Sequence, residues 1–578
     1  MRIAVVGATG NAGTAVLRAL GRREEIDSVV GIARRMPETD REPYAEAEWV
    51  SIDIAAASTE DDAEDQLTRA FRGADAVIHL AWLIQPNTER ELLRRVNVEG
   101  TRRVAEAAVA AGVGQLVVAS SVGAYSPCRD TELHDESWPV GGIEGSHYSV
   151  DKADQEQVLD DVAARHPELI LTRIRPALIF QAEAGAEIQR YFLGRRLPVQ
   201  LLGLAKPPAM PLPAGLHVQA VHADDVAEAY AAAVVTRAPG AFNICADDVL
   251  DTRQLAEIID GGRVLPLPRS VVRTAMAGAY RTGLIPADGG WLDMAYGVPL
   301  MDNSRARRVL GWAPQHSAAE AVRVLLGGMI DGRGTDSIPM RPRGETGRGP
   351  EIDQALAGSA DRAQRDDHGQ IRPVRISPQI DQDLLNLYLS DHLSGAEAGT
   401  QRIERMAETY IDTPVYTPLA ELAAEIRAEH DLLAELLPAL GLKRMRSRQI
   451  VAAVGERLGR LKLNGRIITR SPLSLLLETE LARSAVSGKL GVWQSLHDNA
   501  EQLGLDAAFF AQRVEAALAQ IERIDRIHDF VAPRAFRTDR QSFPPEGEDA
   551  EPGAAQQGHQ QQDPSATSPS PAQEETQS

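Results

Sequence analysis

The feature that most constrains the fold is a short apolar segment followed at once by three glycines at three-residue spacing. Ile3–Val6 has the length and branched side chains of a buried strand, and Gly7, Gly10 and Gly13 follow it. A helix is predicted to begin near Asn11, so its amides and positive dipole end would face the turn. Glycines here let the backbone approach a pyrophosphate, which predicts a nucleotide-binding turn. A glycine turn without a ligand is the alternative interpretation.

Strand-like apolar segments alternate with helical segments from residue 1 to about 330, as in the helical stretch Leu92–Ala111. This alternation predicts an α/β Rossmann domain, a doubly wound parallel sheet covered on both faces. The predicted strands are Ile3–Val6, Val29–Ile32, Trp49–Ile52, Ala76–Leu80, Leu116–Ala119 and Leu169–Ile174.

The composition changes after the predicted Rossmann domain. Residues 331–375 are rich in Gly, Arg, Asp and Pro, which predicts a flexible linker. Residues 376–537 have helical periodicity throughout and predict an all-α helical bundle, with helices near 380–410, 417–438, 447–463, 474–498 and 506–530. Residues 538–578 are rich in Gln, Pro and Ser, so a disordered tail is expected.

Charge and cysteine content exclude several classes of protein. The net charge of −21 argues against a nucleic-acid partner, because phosphate binding needs a basic surface. Two cysteines cannot form a disulfide framework, which fits a reducing compartment. Since neither a cleavable signal segment nor an apolar run of about 18 residues is found, we expect a cytoplasmic protein without a membrane partner.

Two arginines at the end of the second strand bear on the choice of nucleotide. Arg34 and Arg35 stand where an acidic residue would bind the ribose 2′-hydroxyl of NAD, and arginine there suits the 2′-phosphate of NADP. NADP is therefore slightly favoured over NAD, with two solvated arginines as the alternative. Asp53, after the third strand, is placed to contact the adenine, or it is a surface turn residue.

A tyrosine and a lysine four residues apart suggest acid–base chemistry. Tyr148 and Lys152 would lie on one face of a helix. A nearby ammonium lowers the pKa of a phenol, which could then exchange a proton with a carbonyl or alcohol near neutral pH. A strand ends at Ser120 and Ser121, and a serine hydroxyl there could polarise the same substrate oxygen.

In their order along the chain, these motifs resemble the extended short-chain dehydrogenase/reductases, the NAD-dependent epimerase/dehydratase family. The resemblance covers about the first 330 residues. The matching segments are Gly7-x-x-Gly10-x-x-Gly13, His79-Leu80-Ala81, Asn97-Val98-Glu99-Gly100-Thr101, Ser120-Ser121-Val122-Gly123-Ala124-Tyr125, Tyr148-x-x-x-Lys152, Arg173-Ile174-Arg175-Pro176, Val221-His222-Ala223-Asp224-Asp225-Val226-Ala227 and Leu310-Gly311-Trp312-Ala313-Pro314.

The resemblance assigns roles to individual residues. It implies that Ser121, with Ser120 as the alternative, is catalytic. It also implies that Tyr148 and Lys152 are both catalytic and cofactor-binding, with Lys152 binding the nicotinamide ribose. The remaining expected cofactor contacts are Gly7, Thr9, Gly10, Asn11, Gly13, Arg34, Arg35, Asp53, Leu80, Ala81 and Asn97.

The predicted function is hydride transfer to or from a carbonyl or alcohol substrate, a nucleotide sugar among the options, as an oxidoreductase or epimerase. Arg195 and Arg196 could bind a substrate phosphate or lie in solvent. The alternative is a nucleotide-binding sensor or scaffold without turnover, whose helical domain mediates interactions. The family also leads us to expect a homodimer.

A third, weaker hypothesis is a metal-dependent oxidase in the helical domain, which weakly resembles ferritin-like bundles. Glu425, Glu429 and His430 lie together, but the paired Glu-x-x-His motifs of the metal-bearing bundles are not found. No metal ligands are therefore predicted.

Overall fold

The computed structural model describes residues 1–56, 63–85, 89–194, 199–200, 210–260, 264–282, 284–343, 374–443 and 472–536. All of them belong to one compact unit, Met1–Ser542. We call the described residues up to 343 the sheet region, and residues 374–443 and 472–536 the helical region. The predicted helix 447–463, the tail 538–578, and Arg195 and Arg196 lie outside the described residues.

Seven parallel strands form the main sheet in the order β3-β2-β1-β4-β5-β6-β7. The six predicted strands are confirmed with small shifts at their ends, whereas β7 was not predicted. The strands are β1 Arg2–Val6, β2 Ser28–Ala33, β3 Glu48–Ser51, β4 Ala76–His79, β5 Gln115–Ala119, β6 Ile170–Pro176 and β7 Gly240–Ile244. Four short strand pairs lie outside this sheet: Leu133–His134 with Leu300–Met301, Leu178–Phe180 with Ala220–His222, Met210–Pro213 with Val264–Leu267, and His217–Val218 with Leu250–Asp251.

Helices cover both faces of the sheet, so the predicted doubly wound Rossmann fold is confirmed. One face carries α1 and α7 and the other α2, α4 and α5, each over an apolar core. The helices of the sheet region are α1 Asn11–Gly21, α2 Ala63–Phe71, α3 Arg90–Arg94, α4 Gly100–Ala110, α5 His147–Arg165, α6 Gly185–Ile188, α7 Ala223–Thr236, α8 Thr252–Asp260, α9 Arg269–Thr282, α10 Gly289–Gly297, α11 Ser304–Leu310 and α12 Ala318–Asp331.

The helical region consists of α13 Gln382–Thr409, α14 Tyr416–Ala439, α15 Pro472–Asp498, the short α16 Ala500–Leu503, and α17 Ala507–Ala535. Helix α13 packs on α14 and α15, and α15 packs on α17. Two apolar clusters lie along these helices, one around Leu393, Leu436 and Trp493, the other around Ile403, Leu422 and Ile527. No helix in the described part of the chain combines the length and apolar character needed to cross a bilayer.

The first part of the predicted linker is packed rather than free. The Ser337 hydroxyl donates to the Thr9 carbonyl at 2.8 Å, and Met340 is fully buried. The Thr335 and Tyr44 hydroxyls are hydrogen-bonded at 2.9 Å. Residues 331–343 are mostly polar, so their composition did not indicate these few anchoring side chains. The expectation of a flexible segment is wrong for 331–343. Residues 344–373 lie outside the described residues.

The turn between α13 and α14 contacts the sheet region close to the glycine turn. Arg190 donates to both carboxylate oxygens of Asp412, at 2.8 and 3.1 Å. The Arg35 guanidinium donates to the Ile411 carbonyl, and Arg341 donates to the Tyr416 hydroxyl at 2.9 Å. The helical region therefore lies against the edge of the sheet where the sequence predicts a nucleotide.

Candidate active site

Two of the three motif glycines are required by backbone packing. Gly7 has φ +86°, and a Cβ there would lie 2.5 Å from the Ala81 amide nitrogen. A Cβ at Gly13 would lie 2.3 Å from the Gly7 carbonyl oxygen. Gly10 differs, since its Cβ would meet only that same oxygen, at 3.7 Å. Open space therefore remains beside Gly10, where α1 begins and where a helix N-terminus favours a phosphate.

Thr9 and Asn11, predicted cofactor contacts, are partly engaged by the protein itself. Thr9 is buried, and Asn11 Oδ1 accepts from the Gln181 amide at 2.7 Å. Asn11 Nδ2 also donates to the Ile179 carbonyl at 3.2 Å. These contacts tie the glycine turn to the segment that follows β6.

The two arginines after β2 have different surroundings. Arg34 lies 3.8 Å from the Asp53 carboxylate, and Asp53 also accepts from the Ala55 amide at 3.0 Å. Arg35 donates to the Ile411 carbonyl of the helical region. Burial, together with the charge of Arg34, lowers the pKa of Arg35. Arg34 is thus held only loosely, whereas Arg35 is engaged in a contact between the two regions.

Asn97 braces the loop that follows β4. Its side-chain amide accepts from the Leu83 amide at 2.8 Å and donates to the Leu83 carbonyl at 2.9 Å. It sits in a π-helical turn, Arg95–Glu99, of a kind often found at functional sites. Leu80 continues β4 through a 2.8 Å hydrogen bond from its amide to Val6, which places Ala81 against Gly7.

The structure separates the two candidate serines. Ser120 donates to buried Glu156 at 2.5 Å, and Glu156 is in turn paired with Arg175 at 2.7 Å. Ser121 instead lies close enough to the Tyr148 phenol to lower its pKa, and it accepts from the Gly123 amide at 3.0 Å. Ser121 is therefore the serine that lies next to the tyrosine.

Tyr148 and Lys152 lie one turn apart in α5, which begins beneath the end of β5. The Lys152 ammonium donates to the Ala119 carbonyl at 2.6 Å and to Gln155 Oε1 at 3.0 Å. It also lies 3.4 Å from the centre of the Trp82 ring, and Lys152 is only 2% exposed. All three of these partners are neutral dipoles or a ring face, while the charges of Glu156 and Asp151 act on the lysine without a direct contact.

The predicted lowering of the tyrosine pKa is wrong for this arrangement. Burial raises the pKa of Tyr148, although the hydrogen bond with Ser121 opposes the shift. Burial also holds the pKa of Lys152 well below its usual value. The reason is that both groups leave water, where their charged forms are best solvated.

Three aromatic residues around Tyr148 were missed by the sequence analysis. The Tyr148 ring centroid lies 5.8 Å from that of Trp82 and 5.0 Å from that of Trp291, and Phe192 lies 4.8 Å from Trp291. They come from separate loops and helices, so no local spacing connects them. The one sequence signal for this aromatic cluster was the position of Trp82, two residues after Leu80 in the motif at the end of β4.

The acidic residues noted in the helical region have side-chain partners. Glu429 is paired with the Lys489 ammonium, and Glu425 accepts from Arg523 at 2.7 Å. His430 Nδ1 lies 2.9 Å from the Asp431 carboxylate. Each of these three residues therefore has a charged partner among the described residues.

The seven-stranded parallel sheet with helices on both faces places this part of the chain in the class of Rossmann-like α/β proteins. Residues 3–245 match the model of the NAD dependent epimerase/dehydratase family. The match falls in the part of the chain whose motifs resemble that family.

Among known proteins, an uncharacterized protein of Mycobacterium tuberculosis is 29% identical over 351 residues, 59% of this chain and 32% of its own length. The chain thus spans about a third of that relative. The L-arabinose 1-dehydrogenase (NAD(P)(+)) of Haloferax volcanii is 35% identical over 120 residues, 21% of this chain and 41% of its own. A 3-diazoavenalumate denitrifying reductase of Streptomyces is 27% identical over 338 residues, 55% of this chain and 97% of its own.

Among solved structures, the UDP-glucose 4-epimerase of Thermus thermophilus in complex with NAD is 21% identical, with a TM-score of 0.43 over 57% of this chain and 99% of its own. The UDP-glucuronic acid 4-epimerase of Bacillus cereus in complex with NAD is 17% identical, with a TM-score of 0.42 over 57% and 98%.

Proposed function

We propose that this protein is an NAD(P)-dependent oxidoreductase or epimerase that transfers a hydride to or from the carbon of a carbonyl or alcohol substrate. The observation that carries the proposal is that Ser121 lies next to the Tyr148 phenol at the end of β5, one helical turn from Lys152, on the sheet edge of the glycine turn. Ligands of open α/β sheets bind at this edge.

The chain's residues fit a dinucleotide in two respects. The space beside Gly10 is open although the neighbouring glycines are tightly packed, and Lys152 is a buried cation whose hydrogen-bond partners are neutral. When bound, the nicotinamide would supply or accept the hydride. Lys152 would bind its ribose hydroxyls, and the amides at the start of α1 would hold the pyrophosphate.

Tyr148 is proposed as the general acid and base. Its raised pKa keeps the phenol protonated, so in the reductive direction it donates that proton to the substrate oxygen. Ser121 would donate a second hydrogen bond to the same oxygen and polarise the carbonyl. In the oxidative direction the tyrosine must first lose its proton, which the ammonium of Lys152 would favour if it turned from the Trp82 face toward the phenolate.

For the coenzyme, we propose NADP in slight preference to NAD. Arg34 would bind the 2′-phosphate, because its present partner Asp53 is 3.8 Å away, whereas Arg35 is engaged with Ile411. The substrate would lie against the rings of Trp82 and Trp291. Nucleotide sugars, which appear in the names of the two solved epimerases, are one class to test alongside simple ketones and aldehydes.

A second candidate is a nucleotide-binding sensor or scaffold without turnover. The contact that favours it is Trp82, whose ring covers the Lys152 ammonium at 3.4 Å, together with the helical region lying on Arg35. In this case the nucleotide would change the contact between the two regions rather than react.

The test is coenzyme titration followed by turnover on a panel of carbonyls, alcohols and nucleotide sugars, comparing wild type with Tyr148→Phe. We expect kcat to fall by about 10²- to 10⁴-fold, the usual contribution of a general acid, with coenzyme affinity nearly unchanged. Tyr388→Phe, a tyrosine of the helical region hydrogen-bonded to Ser495, is the matched control and should keep full activity. Activity that survives Tyr148→Phe would refute the role, and coenzyme binding without any turnover in the wild type would favour the second candidate.

A further inference from the structure

A cavity of about 360 Å³ lies in the helical region, far in the chain from the motifs of the sheet region. It lies where the two apolar clusters of the helices meet, with Ile403 and Ile426 on one side and Leu433 and Trp493 on the other. Its volume falls in the range of small-molecule sites, about 300 to 1,000 Å³. Its lining is mostly apolar, so it would take a mostly apolar ligand.

Three buried polar atoms of residues that line this cavity have no hydrogen-bond partner among the described residues, and one of them, His430 Nε2, has the Glu397 carboxylate 3.1 Å away. The other two belong to Glu429 and Trp493. Glu429 is 2% exposed, and its Oε1 atom is unpartnered although it lines the cavity. Trp493, also a lining residue, is 1% exposed and has an unpartnered indole Nε1. Buried polar atoms are nearly always hydrogen-bonded, because leaving one unsatisfied destabilises the fold. These two atoms therefore point to a missing ligand group.

The charge of the site is already balanced. The Lys489 ammonium contacts Glu429 Oε2 and Gln520 Oε1, and the Gln520 amide donates to Glu429 Oε2 at 3.3 Å. A cationic ligand would therefore add an uncompensated charge. Apart from His430 Nε2, which faces the Glu397 carboxylate, the unpartnered atoms are one acceptor, Glu429 Oε1, and one donor, Trp493 Nε1. A hydroxyl group offers both a donor and an acceptor to match them.

Glycines on two of the facing helices leave the cavity open. A Cβ added at Gly395 in α13 or Gly488 in α15 would meet nothing within 4 Å. One at Gly399 would meet only the Ala485 side chain, at 4.0 Å. Glycine destabilises the interior of a helix, so glycine at these positions does not stabilise α13 or α15 themselves. Their effect is to leave room between α13 and α15.

We propose that this cavity is a binding site for a mostly apolar alcohol, whose hydroxyl accepts from the Trp493 indole and donates to Glu429 while its hydrocarbon part lies between α13 and α15. The site is separate from the proposed nucleotide site and does not depend on the function proposed for it.

The experiment measures binding of 1-decanol to the full chain by isothermal titration calorimetry, with decane-1-thiol as a ligand of similar length and a weaker hydrogen-bonding group. We expect saturable 1:1 binding of the alcohol and at least tenfold weaker binding of the thiol. Trp493→Phe should reduce the difference between the two ligands, because the indole donor is gone while the apolar surface remains. No saturable binding of decanol, or equal affinity for both ligands in the wild type, would overturn the proposal.

Filling the cavity gives a second readout with a matched control. Gly395→Leu places a side chain in the open space, so decanol affinity should fall at least tenfold while the melting temperature is kept or raised. Gly491→Leu changes another α15 glycine whose Cβ meets nothing within 4 Å but which does not line the cavity. It should keep the wild-type affinity. Equal affinity in Gly395→Leu and wild type would place the ligand elsewhere and refute the assignment.

Discussion

The sheet region and the helical region each bury a lysine, but with different partners. Lys152 is held by a backbone carbonyl, an amide oxygen and the Trp82 ring, none of which carries a charge. Lys489 is paired directly with the carboxylate of Glu429. Lys152 thus has no direct ion pair among the described residues and its amine can still bind a ligand, whereas Lys489 already has a carboxylate partner. The comparison marks the sheet region as the place for an anionic or hydroxyl-rich coenzyme.

The glycines of the two regions also differ in their surroundings. Gly7 and Gly13 are enclosed by backbone atoms at less than 3 Å from any added Cβ, whereas Gly395 and Gly488 face open space. In the sheet region glycine is a requirement of the fold, and in the helical region it makes room. Substitutions should therefore have opposite effects on stability in the two regions.

The largest effect is expected for Gly13→Ala. The new methyl group would lie 2.3 Å from the Gly7 carbonyl oxygen, and backbone cannot move away easily. We expect the free energy of unfolding to fall by about 3 kcal/mol, the upper range for overpacking. Urea unfolding measures it, with Gly491→Leu as the helical comparison that should not be destabilised. An unchanged free energy of unfolding in Gly13→Ala would contradict the distinction between glycines that the fold requires and glycines that face open space.

The next effect concerns Glu187, close to the contact between the regions. Burial raises the pKa of its carboxyl from 4.5 to about 7, with Arg190 opposing and Asp412 reinforcing the shift. A raised carboxyl pKa means that stability is fully present below pH 4.5 and is lost as the pH rises through about 7. Glu187→Gln should remove this loss and be more stable than wild type by up to about 3 kcal/mol at pH 8.

The measurement for Glu187 is urea unfolding at pH 4.5 and at pH 8, with the partly exposed Glu183→Gln as control. The advantage of Glu187→Gln should be present at pH 8 and absent at pH 4.5, whereas Glu183→Gln should show no such dependence. An equal stability difference between Glu187→Gln and wild type at both pH values would mean that folding does not raise the pKa of Glu187, which would contradict the prediction.

A smaller effect is expected for Gly10→Ala, which separates folding from coenzyme binding. The added methyl group has room in the protein, with the Gly7 oxygen at 3.7 Å, so stability should be kept. It would occupy the space proposed for the pyrophosphate, and the dissociation constant for NADPH should rise about tenfold, or ~1.4 kcal/mol. Unchanged NADPH affinity with an intact fold would move the phosphate site away from Gly10.

The parts of the sheet region that the sequence could predict are those fixed by local pattern. Runs of branched apolar residues predicted six strands of the sheet. The spacing of Gly7 and Gly13 predicted the tight turn, because the backbone contacts that require glycine there lie mostly within a few residues. Strand β7, Gly240–Ile244, was missed because it is short and begins with Gly and Ala. The pairing of Ser121 rather than Ser120 with Tyr148 depends on which serine Glu156 engages, and that is a long-range contact.

The parts that could not be predicted arise from residues far apart in the chain. Trp82 and Trp291 meet Tyr148 only once the loops are folded. The polar layer of Glu429 and Lys489 joins two helices whose own patterns show only apolar stripes and scattered charges. Burial, which reverses the expected pKa shift of Tyr148, is likewise a property of the assembled core.

The most direct test of the account is coenzyme binding to the two lysine variants. Isothermal titration of NADPH and NADH would compare wild type, Lys152→Met, and the double variant Lys489→Met/Glu429→Leu, which removes both charges of the helical pair together. We predict at least about tenfold weaker binding for Lys152→Met, or ~1.4 kcal/mol, and unchanged binding for the double variant. Wild-type affinity in Lys152→Met, or an equal loss in both, would contradict the assignment of the coenzyme to Lys152 of the sheet region.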